Sequence, residues 1–240
     1  MNLRKLQKQS TDWYSVKSAS SGEPAEVFIY DQIGASFWDE GVTPSSLIDS
    51  IKSLKMKDGD TLSVRINSPG GNMFDGNTIY NYLRSIKQKI EVTVDGMAAS
   101  AASIIAMAGD TIKMPANSFL MIHNPWMLVA GDSQVMRKTA DDLDVMRDGA
   151  IKTYLSKTGG KVSRNELVKM LDDETWLGAD RAVELGFADE VLEPVRAAAL
   201  AMFDLGAYFD KVPEAFSRIY NEERNKRAQQ RAQLKKLRDI

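Results

Sequence analysis

The chain has no cysteine and a single histidine in 240 residues. The first absence removes disulfides, a thiol nucleophile and thiolate zinc sites together. The second removes any histidine-rich metal site. No apolar run approaches the ~20 residues that span a bilayer. The longest, Met97 to Gly109, is too short and too rich in small residues. The opening MNLRKLQKQSTDW has basic residues but no apolar core, so a secretory signal is not expected. An excess of one charge is missing too: a net charge of −2 gives no global case for nucleic acid or an anionic membrane. Neither GxGxxG nor GxxxxGK(S/T) occurs, so no phosphate-cradling motif is present. These absences leave a soluble, cytoplasmic protein with no cofactor and no metal as the expectation.

What is present reads as an α/β order. Residues 1–24 are polar and end in SSGEP, an expected N-terminal arm. Ala25 to Tyr30 is rich in β-formers. Thr43-Pro44 has the form of a helix start, with Thr43 as N-cap and Pro44 at the first helical position. Strands are expected at Thr61 to Ile66 and Ile90 to Val94, with a helix over Gly76 to Ile86 between them. Gly96 is expected to turn the chain into an Ala/Ser-rich buried helix, and Phe119 to Ile122 is a short strand. A long amphipathic helix from about Asp132 to Lys157 keeps Met136, Ala140, Leu143, Met146, Ala150 and Tyr154 on one face, and Gly159-Gly160 ends it. Short helices over Ser163 to Leu171 and Gly178 to Gly186 follow, and Phe187 to Leu192 closes the compact part, residues 25–192. Residues 193–240 form an extension. Arg196 to Tyr208 is Ala-rich and reads as helical, and the last twenty residues are more basic than acidic. That tail reads as a solvated helix, though its basic residues leave nucleic acid open as a partner.

The chemistry centres on VDGMAASAAS and MIHNP. A serine at a helix start sits where backbone amides point outward and the dipole is positive, which suits a nucleophile whose reaction passes through an oxyanion. Ser100 lies nearest that start. Ser103, three residues on, competes with it. Each of these hydroxyls is equally compatible with simple packing in a small-residue helix. His123, the one histidine, is the only side chain whose ordinary pKa suits it as a base near neutrality. Gly70-Gly71 in INSPGG is either a plain turn or a place where backbone N–H groups approach a reacting carbonyl; the Gly71 and Ala101 amides would then make a two-donor oxyanion hole. Asp172, Asp173 and Glu174 are adjacent carboxylates, any of which could orient the imidazole.

In this order and spacing, INSPGG, VDGMAASAAS, MIHNP and ETWLGADRAVELGFADEV resemble the ClpP-type serine peptidases of the crotonase-like fold. The resemblance covers Ala25 to Leu192. It implies repeated β-β-α units in a spiral, a long handle helix and a ring-like homo-oligomer. It also implies Ser100 as nucleophile, His123 as base and Gly71 with Ala101 as oxyanion donors. The family's aspartate, two residues before an aromatic, is matched by Glu174 before Trp176. This is a departure that leaves Asp173 and Asp172 as alternatives. The wording FDGNTIYNYLR, ASIIAMAGD, MIHNPW and DETWL is most similar to the phage head maturation proteases, which implies capsid and scaffold proteins as substrates. Gly70, Gly71, Asn72, Met73 and Phe74 on one side, and Pro125 to Val129 on the other, would then flank an extended substrate. Met73, Met97, Met121 and Trp126 would line an apolar pocket for it, or equally belong to the core. Three other readings compete: a protease subunit working with an AAA+ unfoldase, an acyl-CoA hydratase or isomerase of the same fold, and an inactive assembly protein.

Overall fold

Burial alternates along Ala25–Ile29 and runs almost unbroken along Thr61–Ser68, the patterns of a strand near a sheet edge and of one covered on both faces. A computed structural model describes residues 13–20, 23–34, 43–194, 205–207, 209–214, 221 and 225. Among them the order is β1 (Tyr14–Lys17), β2 (Ala25–Ile29), α1 (Pro44–Ser53), β3 (Thr61–Ser68), α2 (Met73–Ser85), β4 (Lys89–Ala99) and α3 (Ala101–Ala106). There follow β5 (Thr111–Pro115), β6 (Phe119–Ile122), α4 (Ser133–Thr158), α5 (Arg164–Asp172), β7 (Thr175–Gly178), α6 (Ala179–Glu184) and β8 (Glu190–Leu192). The sheet runs β1-β2-β3-β4-β5-β8, with β1 antiparallel to β2 and the remaining neighbours parallel. The α/β expectation holds.

The site is positioned by β4, which changes partner along its length. Its first half pairs with β5 through Glu91–Thr93, and its second half pairs with β6 through Met97–Ala99. Gly96 stands at that change. It is not the start of a helix, as the sequence led us to expect. Met97, Ala98 and Ala99 remain extended because strands lie on both sides of them, at Ser68 and at Phe119–Met121. Pairing on two edges overrides alanine's helical preference.

Other differences have similar causes. Tyr14–Lys17, placed by the sequence in the arm, is the antiparallel edge strand, and Trp13 before it is buried. Four residues of mixed polarity carry too little periodicity to announce a strand. β7 is equally short, and β5 only one residue longer. The closing strand is only Glu190–Leu192; Phe187 instead fills the core.

The long helix appears as expected. Asp132 caps it through the amides of Gln134 and Val135, and Gly159 ends it in the left-handed conformation. Only Ala150, Ile151, Tyr154 and Thr158 of α4 are buried; its first three turns are largely exposed. α5 carries the reciprocal Ser163–Glu166 capping box. Of the extension, Leu205–Ala207 forms a 3-10 turn. The expected helix from Arg196 onward and the basic tail otherwise lie outside the described residues. Among those described, no helix is long and apolar enough to cross a membrane.

Candidate active site

Three neighbouring strand ends converge. β4 stops at Ala99 and the helix begins at Ala101, so Ser100 is the one residue that turns strand into helix. It does so at φ 53° and ψ −126°, a conformation an L-residue rarely adopts and one that costs of order 1–3 kcal/mol. Its N–H donates to Met121 O at 2.9 Å, which fastens the turn to β6. His123 follows β6 directly. Its Nε2 lies 2.7 Å from Ser100 Oγ.

β7 brings the acid. The antiparallel register pairs Met121 with Trp176 and Ile122 with Thr175, so one step further sets His123 against Glu174. Glu174, like Ser100, has positive φ, at 50°. Burial holds the His123 pKa below the ordinary imidazole value, and the negative charge of Glu174 opposes that shift. Among the described residues no carboxylate is hydrogen-bonded to the imidazole. Glu174 Oε2 accepts instead from the backbone amides of Asp210 and Lys211, at 3.1 and 2.9 Å. The two alternatives are engaged elsewhere: Asp173 pairs with Lys169, and Asp172 accepts from Asn124 Nδ2 at 2.7 Å.

A cleft of about 300 Å³ opens in front of Ser100. Met73, Ile104, Pro125, Met146 and Ala150 give it apolar walls, and Gly71, Ala101 and Trp126 also border it. No described residue accepts a hydrogen bond from the N–H of Gly71 or of Ala101. Both donors adjoin the serine hydroxyl's cleft and are available to a ligand.

The two glycines do different work. Gly71 N–H faces the cleft, while its neighbours fix the loop: Ile33 N–H donates to Gly70 O at 2.7 Å, and Asn72 N–H to Ile33 O at 3.0 Å. Gly70, expected to meet substrate, is buried beneath the nucleophile turn. At φ 93°, a Cβ there would lie 2.6 Å from both Ala99 O and Ser100 Cβ. Met97 and Met121, which the sequence left open between pocket lining and core, belong to the core. Both are fully buried on the far side of the strand ends, in a cluster with Ala99, Leu205 and Phe209. Alternation along β4 and β6 sends these side chains away from the cleft. Asn72 lines the cleft but also caps α2 through Phe74 N and Asp75 N. With α2 beginning at Met73, the extended backbone on that side ends at Asn72. Residues 123–132 belong to no helix or strand, so the backbone of Pro125 to Val129 lies outside the sheet.

Ser103 is fully buried, with its hydroxyl donating to Ser100 O at 2.6 Å and meeting Tyr154 Oη at 2.7 Å. That network supports the nucleophile turn from below and leaves no hydroxyl facing the cleft. Tyr154, read from the sequence only as one position of an apolar helix face, thus underlies the site. Phe209 is a site neighbour with no signal in the sequence at all. Among the described residues no cluster of three His, Cys, Asp or Glu side chains could hold a metal.

Comparison with known proteins places the same residues in a wider setting. A family model described as Clp protease matches residues 12–195. The ATP-dependent Clp protease proteolytic subunit 1 of Protochlamydia amoebophila (strain UWE25) is 30% identical over 172 residues, covering 69% of this chain and 79% of that one. Its counterpart in Chlamydia abortus is 31% identical over 170 residues, covering 65% and 84%. Among solved structures, a mutant of ClpP1 from Listeria monocytogenes matches with a TM-score of 0.59 and 25% identity, over 70% of this chain and 91% of that one.

Proposed function

The chain belongs to the Clp protease family, whose members are serine peptidases, and we propose that it is a serine endopeptidase with Ser100 as nucleophile and His123 as base. One observation carries this reading: the 2.7 Å hydrogen bond between Ser100 Oγ and His123 Nε2 at the mouth of the cleft. A neutral imidazole held out of water is ready to take the hydroxyl proton. Ser100 Oγ then attacks the scissile carbonyl carbon, and the oxyanion that forms is held by the N–H groups of Gly71 and Ala101. The tetrahedral intermediate collapses as the imidazolium gives its proton to the leaving amine. Water, activated by the same imidazole, releases the acyl group from Ser100. Glu174 stabilises the imidazolium by its charge.

The substrate would lie extended along residues 125–129 and present an apolar side chain to the cleft, as in β-strand addition. The exposed first turns of α4 carry Val135, Met136 and Val145, each substantially exposed. They are the natural contact surface of a ring-like homo-oligomer, with α4 as the handle.

The finer proposal is a phage head maturation protease, working in the host cytoplasm on capsid and scaffold proteins without ATP. The motif wording DETWL and MIHNPW supports it. The likeness to ATP-dependent proteolytic subunits favours a second reading, a subunit that receives unfolded chains from a partner ATPase. Incubation with capsid and scaffold proteins in the absence of nucleotide, followed by mass mapping of new termini, separates the two. Defined new termini, abolished by Ser100→Ala, support the first. Cleavage only of unfolded substrates, or only with an ATPase present, supports the second.

A further inference from the structure

The family match ends at residue 195, yet a segment beyond it reaches the catalytic histidine. Phe209 is buried and stands edge-on to the His123 ring, with centroids 5.6 Å apart and planes at 90°. It meets Trp176 of β7 in the same way at 5.5 Å. Leu205, also buried, anchors it on Met97, Ala99 and Met121. The next two residues, Asp210 and Lys211, give their backbone amides to Glu174 Oε2. Lys211 Nζ also reaches Asp172 O at 3.3 Å. A short run of chain therefore touches the base, the strand opposite it and the acid.

We propose that residues 209–211 frame the acid–base pair, with Phe209 as a positioning residue for His123 and the Asp210 and Lys211 amides as the clamp on Glu174. Chemistry supports each part. An edge-to-face ring contact restrains the imidazole's plane while shielding it from water. Two N–H donors fix the position of the carboxylate they hold. Strain at Glu174, φ 50°, needs such outside support to persist.

The segment does not act as a plug. The cleft in front of Ser100 remains open at about 300 Å³, and the Ser100–His123 hydrogen bond is intact beside Phe209. Phe209 meets His123 from the side of Trp176. There a second cavity, of about 420 Å³, is bounded by His123, Asp172, Glu174, Gly206, Phe209 and Asp210. Phe209 lines the first cavity as well as the second and fills neither, whereas a brake would have to fill the first.

The inference rests on the serine peptidase reading, and the test separates the two. The rate at which a fluorophosphonate labels the full chain is measured across pH for the natural protein, Phe209→Ala and Phe209→Leu, with thermal melting as a check on folding. The groups facing His123 are Ser100 from the end of β4, Asp172 and Glu174 from the approach to β7, and Asp210 from the segment itself. Phe209→Ala should slow labelling about tenfold, since small misplacements of a catalytic group carry penalties of this size and larger. It should also move the acid limb of the profile upward. Water returns to the imidazole, and the lowering caused by burial is relieved. Phe209→Leu, which restores bulk, should recover most of the rate. Should Phe209→Ala not fold, Phe209→Val, which also removes the ring, takes its place, with the same slowed and upshifted profile expected. Labelling of folded Phe209 variants at the natural rate and profile would overturn the frame while leaving the peptidase reading intact. Faster labelling would make the segment a brake and overturn it too. No labelling of the natural protein at any pH would remove the serine nucleophile, and the frame with it.

Discussion

Ser100 holds its hydroxyl in place through an unfavourable backbone conformation, and this has a measurable consequence. Glycine tolerates φ 53°, ψ −126° without a Cβ penalty, whereas alanine does not. Both Ser100→Gly and Ser100→Ala should lose all acylation, but the glycine variant should melt a few degrees above the alanine one. The difference of about 1 kcal/mol is what remains of strain relief after glycine's extra unfolded-state entropy. Equal melting temperatures would show that the turn is unstrained. For His123, burial lowers the pKa and Glu174 raises it. The base must be neutral to act, so activity should persist below the ordinary histidine pKa of about 6.5 and fall off only as the solution becomes more acidic still. Glu174→Gln removes the raising charge, so the acid limb should move further down while the plateau rate drops about a hundredfold or more. A limb that rises in this variant would contradict the assignment of the acid. His123 stood out in the sequence as the one histidine, and Ser100 as the serine nearest the expected helix start, with Ser103 as its competitor. Which carboxylate faces the histidine was not legible. Three adjacent carboxylates differ only in what the fold sets opposite them, and the register of β6 on β7 is a tertiary fact.

Among the elements, β4 and its loop partner decide the geometry. The sequence ended this strand at Val94; it runs on to Ala99 because β3 and β6 flank it, and neither neighbour is visible in a local window. The Gly70-Gly71 doublet was legible as a break in INSPGG, but the separate roles of its two members were not. Gly70→Ala should be the more damaging change to the nucleophile, because its Cβ would press on Ala99 O and Ser100 Cβ at 2.6 Å. We expect a destabilisation of roughly 1–3 kcal/mol from the positive φ alone, with acylation of Ser100 nearly lost. An active, normally stable Gly70→Ala protein would show that this packing is dispensable. By contrast Asp173, whose partner Lys169 is exposed, should be replaceable by alanine with little change in rate, as surface ion pairs contribute little. A rate loss matching that of Glu174→Gln would place the acid at the wrong residue.

For the whole molecule, the α/β order, the long helix and its caps were readable from periodicity, Asp132 and Gly159. The destination of residues 205–214 was not: nothing in LGAYFDKVPE says that it returns to the sheet. The projecting turns of α4 expose Val145 and Met136, an apolar surface that a helix standing alone has no reason to keep. If α4 is the handle of a ring, sedimentation should find an assembly several times the 26.6 kDa of the chain, and Val145→Lys should reduce its size. A monomer at all concentrations would remove the ring. Most of the account rests on the contact between a strained serine and the lone histidine. The most direct measurement is fluorophosphonate labelling of the intact protein with mass mapping of the adduct. The adduct should sit on Ser100 alone and fall at least a hundredfold in rate in His123→Ala. An adduct elsewhere, or one formed equally fast without the imidazole, would contradict it.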